Sequence, residues 1–455
     1  MRILFGTDGI RGIAGTELSA ELAFRVGNAV AQIEKSDNKK GADPEGLQLF
    51  IGKDTRVSCD MLANAVASGA AALGARVFCC GVLPTPALAL ITRLHQSTGI
   101  MISASHNSYE YNGLKIIRNG FKLPDREEEE IEDIVLSGSV KATTHEGIGR
   151  VKNFFEAQGE YIRKILAMYP KGNIETRDVQ RPVRIVLDPA NGAAYRIAPE
   201  VLRVLGFEVS MIHEEPDGFN INLGCGSQHL EPLIRKVIET HSDIGIAYDG
   251  DADRCILVDE TGNVVDGDKI MALTGVYYNA LGNLTSNQIV TTVMSNLGLE
   301  VFLKTKGIRL VRTRVGDRYV LEKMLASNLT IGGEQSGHVI FLDRSTTGDG
   351  LITSLTVLEA MSYFDCPLSE LISEIPEYPQ ILKNVKVTDK ERVMESETIQ
   401  ESIAHYKTIL GEEGRILLRP SGTEPLIRIM LEGKEMNLIQ RIAEEIAVMV
   451  NKIDA

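Results

Sequence analysis

The stretch TGIMISASHNSYEYNGLKII, from Thr98 to Ile117, sets an apolar run, Ile100-Met101-Ile102, directly before a cluster of small polar side chains, Ser103-Ala104-Ser105-His106-Asn107. A short uninterrupted apolar run reads as a buried strand. A strand that empties into hydroxyls, an imidazole and an amide is either turning at the surface or presenting a reactive group. The flanking chain gives this strand its setting. Upstream lie a helical face carrying Leu22, Val26, Val30 and Ile33, a strand at 47–52, a helix over 58–74 with Ser58 as N-cap and Gly74 as stop, a strand at 76–80 and a helix after Pro84. A glutamate-rich helix at 127–136 closes the unit, and its charges read as a solvated face.

The same rhythm occurs twice more. Strands at 183–188, 207–212 and 244–248 alternate with helices at 193–205 and 229–241; strands at 289–293, 308–313 and 329–333 alternate with helices at 297–305 and 316–328. Alternation at this spacing predicts parallel sheets covered by helices. Beyond 380 the pattern changes to short strands at 384–387, 415–420 and 426–431 with helices at 397–409 and 437–451, a smaller α+β arrangement. The expected fold is α/β: three consecutive similar α/β domains with mixed, mostly parallel sheets, and a smaller C-terminal α+β domain. The expected boundaries are 1–155, 156–257, 258–372 and 373–455, the last marked by Pro376 and Pro379.

Composition agrees with that scale. A chain of 455 residues exceeds the size at which one core stops growing, and 44% hydrophobic content is enough for several cores. A net charge of −14 argues against nucleic acid or an anionic membrane as partner. Six cysteines without CxxC or metal spacing read as reduced, mostly buried thiols of a cytoplasmic protein. The start MRILFGTDGIRG is no signal peptide, and no apolar run is long enough to span a bilayer.

Ligands of open α/β sheets gather beyond the carboxyl ends of the strands, and each unit places its most unusual loop there. In the first, Ser105 is the candidate nucleophile. A Ser–His hydrolase reading is disfavoured because neighbouring side chains on extended backbone point apart, so His106 is not expected to reach Ser105, and no G-x-S-x-G elbow is present. In the second, Asp249, Asp251 and Asp253 have the spacing to converge on a hard cation, with Arg254 beside them for an anionic substrate. Arg254 at the sixth position, where a calcium loop needs glycine, rejects that geometry, and Mg²⁺ is the expected ion. In the third, GGEQSGH (332–338) offers Glu334, Ser336 and His338 to sugar hydroxyls or an amine. In the last domain, Arg419, Ser421, Gly422, Thr423 and Arg428 make a set suited to a phosphate dianion, without the lysine of a Walker loop. Each of these four loops also has a plain surface turn as its alternative. In FGTDGIRG, Arg11 can face an anion.

FGTDGIRG, ISASHNSYEYNGLKI, DGDADR, GGEQSGH and RPSGTEPLIRIM occur in that order, and the chain resembles the α-D-phosphohexomutase superfamily over essentially its whole length. GEQSGH and PDGFNINLGCGSQH (216–229) are most similar to the branch acting on glucosamine phosphates. The resemblance implies four domains around a central cleft. It also implies interconversion of glucosamine 6-phosphate and glucosamine 1-phosphate, on the route to UDP-N-acetylglucosamine, by an isomerase working as monomer or homodimer. In that pattern Ser105 is the phosphoserine and the sugar passes through a bisphosphate, which also serves as primer. Asp249, Asp251, Asp253 and a phosphoserine oxygen hold Mg²⁺. Lys115 transfers protons, with Arg11, His106 and His338 as further candidates. Glu334 and Ser336 contact the sugar, and the 419–428 loop binds the distal phosphate.

Ser105 and Lys115 lie ten residues apart, and Asn112-Gly113 is the expected turn that returns the chain between them. Ser108 stands where the superfamily usually has proline, which predicts a freer loop. Three other readings compete: a phosphomannomutase or phosphoglucomutase of the same superfamily, a haloacid-dehalogenase-like phosphatase with Asp249 as nucleophile, and a non-catalytic phosphosugar sensor.

Overall fold

The computed structural model of the chain describes residues 3–6, 8–38, 47–140, 143–169, 182–421 and 424–454. It divides into two compact units, one of residues 1–293 with 311–372, the other of residues 294–310 with 373–455.

The larger unit holds three α/β sheets. In the first, Gln48–Lys53 runs parallel to both Arg76–Val82 and Thr98–Ile102, and Val151–Asn153 extends the sheet in parallel beyond Arg76–Val82. Thr98–Ile102 then pairs antiparallel with Tyr111–Arg118, which is followed outward by Gly9–Ile13 and Phe5–Gly6. In the second, Arg184–Asp188 lies between the parallel strands Glu208–Met211 and Ile244–Tyr248, and Ile244–Tyr248 pairs antiparallel with Cys255–Asp259. In the third, Gln288–Thr292 and Ile331–Gly333 are parallel and Val339–Phe341 returns antiparallel. All three sheets thus end alike: the last parallel strand gives way, through a short loop at its carboxyl end, to an antiparallel return strand. Those loops carry Ser105, the three aspartates and Glu334. The sheets are mixed, and the return strands are what the alternation pattern did not disclose.

Burial explains the strand. Ile100, Met101 and Ile102 are fully enclosed between helices, as a strand covered on both faces requires. Burying each such side chain is worth about 1.5–3 kcal/mol. Two expectations need correction. The boundary at 257/258 cuts the strand Cys255–Asp259, because the second sheet continues to Val264–Val265. The glutamate run is not wholly a solvated face: Glu128 and Glu132 are buried, Glu132 accepting the backbone N–H groups of Ile3, Leu4 and Phe5 and Glu128 pairing with Arg318 at 3.0 Å. Ser58 does precede the helix Cys59–Ala72 but makes no capping bond; its hydroxyl accepts from Asn112 Nδ2 at 2.9 Å.

The smaller unit has a three-stranded antiparallel sheet, Gln380–Lys386, Leu426–Gly433 and Gly414–Pro420 in that order, packed by the helices Glu397–Leu410 and Met436–Asp454. The helix Leu297–Thr305 belongs to this unit too, fastened where Asn296 bonds both backbone groups of Tyr378 at 2.9 and 3.0 Å. Among the described residues no helix is long and apolar enough to cross a membrane. The cysteines are free, four buried and two half-buried.

Candidate active site

The chain doubles back within 103–110. Asn112 and Gly113 lie inside the return strand Tyr111–Arg118, so the turn expected there is misplaced; Ser103 N–H already donates to Gly113 O at 3.1 Å. The consequence drawn from it survives by another route. Met101 pairs with Lys115 across the two strands, which carries the lysine back beside the serine loop.

Ser105 is 1% exposed and has a left-handed backbone, φ +53°. Its N–H donates to Ser103 Oγ at 2.9 Å and its hydroxyl donates to Asp249 Oδ2 at 2.6 Å. Because the backbone is not extended here, His106 does not point away: its Nδ1 lies 3.3 Å from Ser105 Oγ. Burial, then the nearby charges of Arg254 and Arg11, push the His106 imidazole down to about 4, so at neutral pH the ring is uncharged and able to accept a proton.

Asp249, Asp251 and Asp253 converge, each offering an oxygen within 4.8 Å of the others. All three are buried. Burial and the negative charges of Asp253 and Asp251 drive the Asp249 carboxyl well above its usual range. Asp253 goes the other way: its burial is outweighed by the Lys115 ammonium and by His338, and its carboxyl is held well below the usual range. Asp251 Oδ2 accepts from Thr85 Oγ1 at 2.6 Å and Lys115 Nζ at 2.8 Å. Among the described residues, Asp251 Oδ1 and Asp253 Oδ1 are buried without a hydrogen-bond partner. Such oxygens are costly to bury unless a cation answers them. The residues therefore fit a divalent ion bound through oxygen.

Lys115 is 2% exposed and lies 2.8 Å from Asp251, 3.0 Å from Asp8 and 3.6 Å from Asp253. Burial alone would lower its pKa, but Asp251, Asp8 and Asp253 together raise it, and the group is an ammonium. Asp8 also binds Arg11 and Lys122, and Lys122 reaches Asp317, each at 2.5 Å. Asp8, Lys122 and Asp317 escaped the sequence reading. Asp8 lies within FGTDGIRG, where nothing in the local sequence reveals its distant partners; Lys122 and Asp317 carry no local signal at all.

Arg11, His106, Asp253, Arg254, Glu334 and His338 line one cavity of about 430 Å³, large enough for a hexose phosphate. His338 is buried, 3.7 Å from Asp253 Oδ1, and its Nε2 accepts the Gly348 N–H. Burial opposes the Arg254 charge, but Asp253, Asp249 and Glu334 more than restore it. Glu334 Oε1 accepts Gly316 N–H at 3.2 Å. Gln335, in the GEQSGH stretch, is not among the residues lining the cavity; its amide donates to Asp266 Oδ2 at 3.1 Å. Ser336 is exposed at the loop tip.

The C-terminal loop is described only in part, since Gly422 and Thr423 lie outside the described residues. Arg419 and Arg428 are direct cross-strand partners. Like charges placed opposite one another oppose the pairing unless an anion joins them. Burial and the Arg428 charge lower the Arg419 pKa accordingly. Ser421 is buried, and Lys390, a residue the sequence reading missed, donates to its carbonyl at 2.8 Å.

Four family models match the chain: phosphoglucomutase/phosphomannomutase alpha/beta/alpha domain I at 2–141, domain II at 159–262, domain III at 266–378 and the C-terminal domain at 382–448. The phosphoglucosamine mutase of Carboxydothermus hydrogenoformans is 48% identical over 99% of both chains, and that of Thermosipho africanus 46% identical over 99% of this chain and 98% of its own. A phosphoglucomutase/phosphomannomutase family protein from Burkholderia thailandensis superposes with TM-score 0.81 at 23% identity over 99% and 98% of the two chains. Aspergillus fumigatus N-acetylphosphoglucosamine mutase, solved with GlcNAc-6P and magnesium, does so with TM-score 0.69 at 16% identity over 100% and 96%. At those identities the likeness to the two solved structures is one of fold.

Proposed function

Because the chain belongs to the phosphoglucomutase/phosphomannomutase family, we propose that it interconverts glucosamine 6-phosphate and glucosamine 1-phosphate through a phosphorylated Ser105 and a bisphosphorylated sugar. The observation that carries this reading is the buried Ser105 hydroxyl, 2.6 Å from an aspartate of a three-carboxylate cluster in which Asp251 Oδ1 and Asp253 Oδ1 lack hydrogen-bond partners among the described residues.

Asp249, Asp251 and Asp253 would hold Mg²⁺, with an oxygen of phosphorylated Ser105 as a further ligand. When bound, the ion draws negative charge from the transferring phosphoryl oxygens. In the forward half-reaction the Oγ–P bond of Ser105 breaks as a bond from phosphorus to a sugar hydroxyl oxygen forms. Such transfers demand mainly alignment and charge neutralisation. Lys115, held as an ammonium, would protonate the departing Ser105 oxygen, while the neutral imidazole of His106, which lines the cavity and lies 3.3 Å from Ser105 Oγ, would take the proton of the attacking sugar hydroxyl. In the return half-reaction Ser105 Oγ attacks the other phosphate of the bisphosphate and gives its proton back to Lys115, and the His106 imidazolium protonates the departing sugar oxygen, so both groups end as they began. Glu334 and Ser336 read the sugar, with Arg11, Arg254 and His338 on the reacting side. Arg419, Ser421, Gly422, Thr423 and Arg428 take the phosphate that is not being transferred, whose binding energy can align the reacting hydroxyl. The proposal includes a bisphosphate primer, a cytoplasmic location, a monomeric or homodimeric state and a product used for UDP-N-acetylglucosamine.

Turnover of glucosamine, glucose, mannose and N-acetylglucosamine phosphates with Mg²⁺ and a hexose bisphosphate, on wild type and Ser105→Ala, tests this. We expect glucosamine phosphates to be preferred and the alanine variant to lose on the order of 10⁴-fold or more. Phosphate found on Asp249 by peptide mass mapping, with Ser105→Ala still active, overturns it.

A further inference from the structure

Ser105 keeps a backbone conformation that costs a non-glycine residue free energy, so its surroundings must impose it. Two side chains from different sheets do so. Arg56, buried in the loop after Gln48–Lys53, donates from Nη2 to Ser105 O at 2.9 Å and to Asn107 O at 2.8 Å. Asn222, in the long loop of the second domain, donates from Nδ2 to the same two oxygens, each at 2.9 Å. Two NH₂ groups thus supply four N–H bonds to two carbonyls that have four lone pairs between them, and no acceptor site is left over. The approach is tight enough to specify its neighbour as well. A Cβ on Gly250, in the metal loop, would stand 2.6 Å from Ser105 O and 3.0 Å from Asn222 Nδ2, so only glycine fits there.

Arg56 is itself held. Asp54 Oδ2 lies 3.4 Å from its Nε, with both side chains fully enclosed. On the facing side, Asn222 N–H donates to Ala190 O at 3.0 Å, and Thr55 Oγ1 bonds Asn191 O at 2.5 Å, tying the two loops together. The grip falls on the carbonyls on either side of His106 and leaves the Ser105 hydroxyl free to meet Asp249.

We propose that Arg56 and Asn222 are positioning residues that clamp the Ser105 loop of the first domain against the metal loop of the second and so fix the line along which Ser105 gives and receives the phosphoryl group. The inference rests on Ser105 being the phosphoryl carrier.

Arg56 is buried against a carboxylate and its variants can fail to fold, so the half-buried Asn222 is the primary target. Asn222→Asp keeps the shape and removes both donors. In the full-length enzyme with Mg²⁺ and a hexose bisphosphate primer, kcat should fall about 10- to 100-fold with KM within about two-fold. Phosphorylation of Ser105 by the primer, followed by intact mass, should slow by the same factor. Amide hydrogen exchange over 103–111, measured without any ligand, should rise while the rest of the chain keeps its protection. Arg56→Lys should retain more turnover than Arg56→Met. Unchanged exchange over 103–111, or a kcat within about two-fold of wild type, overturns the clamp. A wild-type enzyme that never accepts phosphate on Ser105 instead overturns the mutase reading and with it the catalytic half of this inference, and exchange over 103–111 then decides whether the clamp itself exists.

Discussion

The serine loop and the C-terminal arginine loop are both phosphate-handling candidates, and they are built in opposite ways. Around Ser105 the groups are buried and already bonded to one another: Ser103, Arg56 and Asn222 hold the backbone, Asp249 holds the hydroxyl, and Lys115 is shared among three carboxylates. Among the described residues, Asp251 Oδ1 and Asp253 Oδ1 lack a hydrogen-bond partner there, as do the Nε atoms of Arg11, Arg56 and Arg254. In the C-terminal loop the unsatisfied charge is positive. Arg419 and Arg428 face each other across two strands, Glu424 lies 3.4 Å from Arg428, and among the described residues Arg428 Nε is buried without a hydrogen-bond partner. The first loop therefore holds carboxylate oxygens that a cation would satisfy, and the second an arginine pair that an anion would. A rigid, already bonded surround suits a group that must transfer phosphoryl along a fixed line. An open guanidinium pair suits a group that must accept either end of a sugar and release it.

The largest effect expected from this contrast is on the cation. Chelation should abolish turnover, and Mg²⁺ should restore it and raise the thermal midpoint. Asp251→Asn should cost about 10²- to 10³-fold in turnover and lose most of the Mg²⁺-dependent rise in midpoint. Arg428→Ala should keep that rise. A midpoint in Arg428→Ala that no longer responds to Mg²⁺, or one in Asp251→Asn that still does fully, would erase the distinction between the loops.

Much of this was legible before the fold was seen, and the failures have physical causes. The strands and helices of all three α/β units declared themselves because buried parallel strands are written as short apolar runs. The candidate nucleophile Ser105 and the aspartates could be named because each sits directly after such a run. What the sequence concealed depends on contact at a distance. The return strand Tyr111–Arg118 contains Asn112-Gly113, which locally reads as a turn; pairing on both sides with Thr98–Ile102 and Gly9–Ile13 overrides that preference. The reach of His106 to Ser105 follows from one positive φ, which no periodicity reports. Ser108 in place of proline predicted a freer loop, yet the exposed Ser108 is not what holds it; Arg56 and Asn222 are, from 49 and 117 residues away.

A smaller effect is expected at the arginine pair. Arg428→Ala removes a charge-assisted contact to phosphate, worth about 1.5–3 kcal/mol, so KM should rise roughly 10- to 100-fold with a lesser loss in kcat. Without ligand the same substitution relieves the repulsion with Arg419, and the urea midpoint should hold or rise, by at most about 1 kcal/mol of stability. Added inorganic phosphate should then stabilise wild type more than the variant. A variant that is less stable without phosphate would mean that the pair is satisfied internally and that the loop is no anion cradle.

The smallest effect sharpens the contrast through pH. Beneath the metal loop, Asp349 caps the helix Gly350–Phe364 by accepting from Ile352 N–H at 3.0 Å, and Gly350 N–H donates to Ala252 O at 3.0 Å. Tyr161 OH donates to both Asp349 oxygens, at 2.9 and 2.8 Å. Burial nevertheless pushes the Asp349 carboxyl up to about 6 from 3.8, against the pull of the Ile352 N–H and the Tyr161 hydroxyl. A carboxyl whose pKa is raised by folding stabilises fully below its unfolded value and loses that contribution as pH rises through its folded value. The loss runs from about pH 4 to just above pH 6 and amounts to about 3 kcal/mol for a shift of this size. Asp349→Asn carries no such loss. Its urea-unfolding free energy, measured against wild type at pH 4 and pH 7.5, should gain on wild type by up to that amount between the two. A constant difference at both pH values would mean that Asp349 ionises as readily inside the protein as outside, and that the buried side of the molecule is no more pH-sensitive than its arginine-lined counterpart.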